Sequence, residues 1–182
     1  LKSKALLTQE ELDLVPKYFT PLHINAQTNI LHAGERERYV YFLSQGIVKG
    51  YQNINGKTII EHLIDEDNFF SSIDSFMNET PSIDYFETVA DCKVLRISKP
   101  ELNLLNESYP NWKTVVDFIF NEHLVCKMER VRDFQTHTAK QRYLKFIEKT
   151  PNLALKVSIE NIASFLGMEP QSLSRIRKEI VF

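Results

Sequence analysis

The pattern of apolar and polar positions changes texture twice along the 182 residues. Near the start, Thr8-Gln9-Glu10-Glu11 has the spacing of a capping box, with Leu12 and Val15 following on one helical face. From about Ile24 to Ile97 the apolar residues come in short runs. Tyr39–Leu43 is rich in aromatic and branched residues, Ile47–Gln52 follows Gly46, and Lys57–Ile64 returns after Asn55-Gly56, a pair that tolerates positive φ and suits a tight hairpin. Phe86–Val89 and Lys93–Ile97 read as further strands. Many short strands between turn signals predict an antiparallel barrel or jelly roll.

Beyond Ile97 the period becomes helical. Ser98-Lys99-Pro100-Glu101 is a second capping box, opening a helix to about Glu107, and Tyr109-Pro110 breaks it. Trp112 to Phe134 then runs without Gly or Pro. Trp112, Val116, Phe120, Leu124, Met128 and Val131 recur at spacings of three and four, and Val115 and Ile119 widen the stripe. Such a helix is about 34 Å long. The stripe fits either a core helix or one that pairs with a copy of itself. Three shorter helices are predicted at Ala139–Lys149 and, after the break at Thr150-Pro151, at Ser158–Leu166 and Pro170–Ile180.

The last two carry the most informative pattern. Ser158 is placed to cap the first, with Ile159, Ile162 and Leu166 on its inner face. Ala163 is small enough for a second helix to cross closely, Gly167 suits a left-handed helix end, and Pro170 suits a first helical turn. Leu173 and Ile176 pack back, leaving Gln171, Ser172, Ser174, Arg175 and Lys178 outward. That face offers amide, hydroxyl and guanidinium groups to base edges and phosphates. The bland counterpart is a plain helical hairpin on a surface.

Composition sharpens the picture. The chain is 43% hydrophobic and 25% charged, as expected of a soluble protein of one large or two small domains. No run of eighteen apolar residues exists, so no membrane span is expected, and Leu1-Lys2-Ser3-Lys4 lacks the features of a secretory leader. Cys92 and Cys126 are too few for an iron–sulfur cluster and match no zinc-finger spacing, so a reduced, cytoplasmic setting is expected. The net charge of −2 divides unevenly: eight basic and four acidic residues give +4 over 137–182, leaving −6 on the remainder. A basic end on an acidic body suits a nucleic-acid module joined to a body that does not touch DNA.

Leu166-Gly167-Met168 followed by Ser172-Leu173-Ser174-Arg175-Ile176, behind a strand-rich region and a long helix, resembles the Crp/Fnr superfamily, the cyclic-AMP receptor protein and its relatives, over nearly the whole length. The resemblance implies an α+β fold. It comprises a cyclic-nucleotide-binding-like β-roll (jelly roll) over 1–109, a long dimerisation helix over 110–136 and a C-terminal winged helix-turn-helix over 137–182, although no wing hairpin is legible before Phe182. It implies that Arg175 reads a guanine and that Gln171 and Ser172 meet bases or phosphates. It implies a homodimer whose seam includes Trp112, Val116, Ile119, Phe120, Leu124, Met128 and Val131. The implied partners are double-stranded DNA with an inverted-repeat operator, RNA polymerase, and a small-molecule effector near Phe70, Ser71, Ser72, Ser82 and Ile83.

Two departures qualify the resemblance. Members that bind cyclic AMP carry a Gly-Glu pair for the ribose and an Arg-Ser pair for the cyclic phosphate. Here the matching stretches are Asn68-Phe69-Phe70-Ser71-Ser72-Ile73 and Ser82-Ile83-Asp84, without that Glu or Arg. Tight cyclic AMP binding is therefore not expected, since a buried phosphate needs a cationic partner and Asp84 opposes one. Glu169 also stands where the recognition helix takes a Ser or Thr cap; it suits the helix dipole but repels a DNA phosphate.

Other chemistry finds little support. There is no nucleophile elbow, P-loop or dinucleotide fingerprint, so no enzyme is expected. His23, His32, His62, His123 and His137 form no His-x-His pair, so surface or core histidines are expected rather than the metal site of a cupin-type enzyme, and nothing points to a haem or another cofactor. Gly34-Glu35-Arg36-Glu37-Arg38 reads as a solvated turn. The competing function is a ligand-binding regulatory module that works through protein contacts.

Overall fold

The computed structural model describes residues 7–180. Two short helices, α1 (Gln9–Leu12) and α2 (Val15–Tyr18), precede eight strands: β1 (Thr20–Ile24), β2 (Asn29–Leu31), β3 (Tyr39–Gln45), β4 (Val48–Ile54), β5 (Lys57–Ile64), β6 (Asn68–Phe70), β7 (Tyr85–Thr88) and β8 (Cys92–Ser98). Helix α3 (Ile73–Asn78) interrupts them after β6. The strands form two antiparallel four-stranded sheets, ordered β1-β8-β3-β6 and β2-β7-β4-β5. This is the β-roll. The β4–β5 hairpin turns where expected, with Asn55 at φ 51° and Gly56 at φ 79°. Leu43, Val48, Phe70, Phe86, Cys92 and Val94 fill the space between the sheets.

Both capping boxes form: Thr8 with Glu11 starts α1, and Ser98 with Glu101 starts α4 (Lys99–Ser108). Pro110 does not separate two elements at a distance; it is the first residue of α5 (Pro110–Thr136), where its missing N–H leaves nothing unpaired. The 27 residues of α5 span about 40 Å. Four helices follow: α6 (Ala139–Lys149), α7 (Pro151–Lys156), α8 (Ile159–Phe165) and α9 (Pro170–Glu179). Helix α7, like α2, α3, β1, β2 and β6, is short and carries no capping or turn signal that the sequence reading used, and it was not legible as an element.

Trp112 departs from its expected role. It is only 4% exposed, packed with Phe19, Val40, Phe76, Ile97, Leu102 and Leu105, so it anchors the start of α5 to the roll rather than lining a seam.

The free edge of β5 meets α8. The Ile60 amide donates to the Ser164 hydroxyl (3.0 Å), which lies 3.3 Å from the Thr58 carbonyl. Arg130 of α5 donates to the Ile60 and Glu61 carbonyls, with its guanidinium 4.6 Å from the Phe165 ring. An edge strand that would otherwise leave polar groups bare is thus covered by α8 and α5.

Candidate functional site

Helices α8 and α9 meet through the turn 166–169. Ser158 caps α8 by accepting from the Asn161 amide (3.3 Å). Ile162 and Ala163 of α8 and Leu173 and Ile176 of α9 are buried with Tyr143, Phe146, Leu153 and Val157. Gly167 adopts φ +61°, and a Cβ there would collide with the Phe134 ring at the end of α5, so sterics and backbone conformation both require glycine.

That packing fixes the outer face of α9. Gln171, Ser172, Arg175 and Lys178 are exposed and Ser174 is half-buried. Arg177 instead turns inward, donating to the Tyr143 hydroxyl (3.0 Å) and the Ala154 carbonyl (3.2 Å). Arg175 and Lys178 are therefore the cations that α9 presents to solvent. Glu169, the N-cap, makes no side-chain cap bond; its carboxylate lies 3.8 Å from the Lys57 ammonium at the β4–β5 turn. That exposed pair offsets part of the charge Glu169 would set against a phosphate, weakly, because water screens it.

Along α5, Val116, Ile119 and Phe120 are half-buried, whereas Leu124, Met128 and Val131 are 58%, 64% and 57% exposed. With Val125 they leave an apolar stripe exposed in the single chain.

A groove of about 950 Å³ lies between α5 and the roll; His62, Phe70, Ser71, Phe120, His123 and Lys127 are among its lining residues. Phe70 stacks on Tyr41 at 5.0 Å. His62 stacks on Phe86 at 5.9 Å and on His123 at 5.2 Å. Gly50 permits this: a Cβ there would lie 2.9 Å from the Phe86 ring. Burial, reinforced by Lys127, holds both imidazoles below their ordinary pKa and therefore neutral at neutral pH.

The serines expected near the effector are buried and bonded. Ser71 Oγ donates to the Tyr39 carbonyl (2.9 Å), and Ser72 Oγ donates to Asp84 Oδ2 (2.9 Å) and lies 2.9 Å from Ser82 Oγ. Ile83 does not join them: with Ser82 turned inward, Ile83 faces solvent and is 69% exposed. Glu37, read as part of a solvated turn, is buried; its carboxylate accepts from the Arg38 and Tyr39 amides at 2.9 and 3.0 Å. Burial lifts its pKa to about 7. A signal was present: Glu37 shares strand parity with the buried Tyr41 and Leu43.

Among the described residues no three His, Cys, Asp or Glu side chains converge in a way that could hold a metal ion, and no helix is long and apolar enough to cross a membrane.

Residues 21–109 match the cyclic nucleotide-binding domain family. Solved structures share the fold over most of the chain. The catabolite activator protein of Thermus thermophilus is 17% identical, with 96% of this chain and 84% of that one covered at a TM-score of 0.62. FixK2 from Bradyrhizobium japonicum is 17% identical, with 89% and 84% covered at 0.79. The c-di-GMP-responsive global regulator CLP of Xanthomonas campestris is 12% identical, with 95% and 91% covered at 0.76. No curated protein sequence matches this chain.

Proposed function

We propose that this chain, whose residues 21–109 form a domain of the cyclic nucleotide-binding family within a Crp/Fnr-type fold, is a homodimeric DNA-binding transcription regulator that does not respond to cyclic AMP. The observation that carries the reading is α9: a helix braced by α8, with Gln171, Ser172, Arg175 and Lys178 directed to solvent while Arg177 is tied inward. Entering a major groove by its N-terminal half, α9 brings Arg175 to the two acceptors of a guanine and Gln171 to an adenine, with Lys178 on phosphate. Ser172 and Ser174 add hydroxyl contacts at the groove wall.

In a dimer formed along the α5 stripe, two copies of α9 enter successive major grooves about 34 Å apart, so the operator is an inverted repeat. The wing, the contact with RNA polymerase and the cytoplasmic setting belong to the same reading. The absence of the ribose-binding Glu and the phosphate-binding Arg supports an effector other than cyclic AMP, or a roll that serves only as scaffold. Selection of genomic fragments by the purified chain tests the proposal. Enrichment of a shared inverted repeat is expected; recovery of unrelated fragments in proportion to their input would refute it.

A further inference from the structure

The loop that would face a phosphate-bearing effector is already supplied with an anion from within the chain. The Asp84 amide donates to Ser82 Oγ (2.9 Å), Ser82 Oγ lies 2.9 Å from Ser72 Oγ, and Ser72 Oγ donates to Asp84 Oδ2 (2.9 Å). The hydroxyl of Ser82 also lies 3.1 Å from the Asp84 carbonyl. Oriented as Asp84 N–H to Ser82, Ser82 to Ser72 and Ser72 to the carboxylate, the bonds form a ring that leaves Asp84 at its amide and returns to it at its side chain. Each bond in such a ring polarises the next. Asp84 Oδ1 is taken as well, by Gln52 Nε2 at 2.8 Å. The Ser71 hydroxyl turns to the Tyr39 carbonyl.

The hydroxyl donors at this loop that an incoming phosphate would use are therefore committed, that of Ser72 to a carboxylate of the chain. An arriving anion must break a closed ring whose serines are buried, and must do so beside the Asp84 charge. Both terms oppose it, since a buried hydrogen bond lost without replacement is costly and like charges a few ångströms apart repel.

We propose that Asp84 is a specificity-determining residue that acts as a resident anion, occupying the Ser72 hydroxyl and closing the roll to phosphate-bearing effectors. The inference deepens the reading of the roll given above, but its test needs no DNA. Calorimetry on the full chain uses cyclic AMP, cyclic GMP and inorganic phosphate as probes. Three proteins are compared: wild type, Asp84→Asn, which keeps an acceptor for Ser72 but removes the charge, and Ser82→Arg with Asp84→Ala, which replaces the anion by a cation. Thermal melts establish that each is folded. Wild type is expected to bind none of the probes at millimolar concentration. The double variant should gain affinity for the cyclic nucleotides by at least about tenfold, because a charge-assisted bond replaces a repulsion; Asp84→Asn should lie between. Micromolar binding of a probe by wild type would overturn the proposal, as would folded variants that bind no better than wild type. Neither result would touch the DNA reading, which stands or falls on duplex binding.

Discussion

Glu37 is buried, with the Arg38 and Tyr39 amides as donors and a pKa lifted to about 7 by burial. A carboxyl whose folded pKa exceeds its unfolded value of 4.5 contributes stability that is full below about pH 4.5 and lost as the pH rises through about 7. The span amounts to about 3 kcal/mol at most. Glu37→Gln should flatten the decline in melting temperature between pH 5 and pH 8 and gain on wild type at the alkaline end; parallel profiles for the two proteins would refute the assignment. On α9, Arg175→Ala should cost about 1–3 kcal/mol per half-site and relax the preference at one base position. Lys178→Ala should weaken binding similarly on all sequences and reduce the salt slope by about one per half-site. An equal loss on operator and scrambled DNA would remove Arg175 from the readout. The outward residues of α9 were legible in the sequence because helical period and the Gly167 turn fix them. The Ser72–Ser82–Asp84 ring and the burial of Glu37 were not, because they depend on contacts between segments distant in sequence.

Among the elements, α5 joins two roles that its sequence pattern runs together. Its first turns are core: Trp112 is buried against the roll, and Val115 is buried as well. Its later stripe of Leu124, Met128 and Val131 is exposed. A period of three and four states which residues share a face, not what covers that face, so the sequence placed Trp112 and Met128 on one seam. Leu124→Asp with Met128→Asp should therefore leave each chain folded and abolish pairing, because neither side chain supports the single chain's core. Sedimentation should give twice 21.3 kDa for wild type and 21.3 kDa for the variant; a wild-type monomer at micromolar concentration would refute self-pairing. The edge of β5 gives another test. Ser164→Ala strips the partner from the Ile60 amide, at a cost of about 1 kcal/mol, and amide exchange at Ile60 should accelerate. Arg130→Met removes donors from two carbonyls and should lower the melting temperature further. Unchanged exchange in both variants would mean that α8 does not cover this edge in solution. Nothing in the sequence marked this contact, since a serine on an amphipathic helix carries no pattern that names its partner.

At the scale of the molecule, charge and architecture agree. The +4 segment over 137–182 contains α6 to α9, and the −6 remainder contains the roll. The order of elements was legible because helix-rich and strand-rich textures change over near Ile24 and again at Ser98. The way α8 covers β5 was not, because it arises from packing between elements about a hundred residues apart. The central claim is sequence-selective DNA binding by α9, and fluorescence anisotropy measures it most directly. The wild-type chain is titrated onto the genomically selected inverted repeat and onto a scrambled duplex of the same length, at several salt concentrations. Affinity for both duplexes should fall with rising salt, with the inverted repeat bound tighter by roughly a thousandfold or more at each. Equal affinity for the two duplexes at every salt concentration would contradict the account.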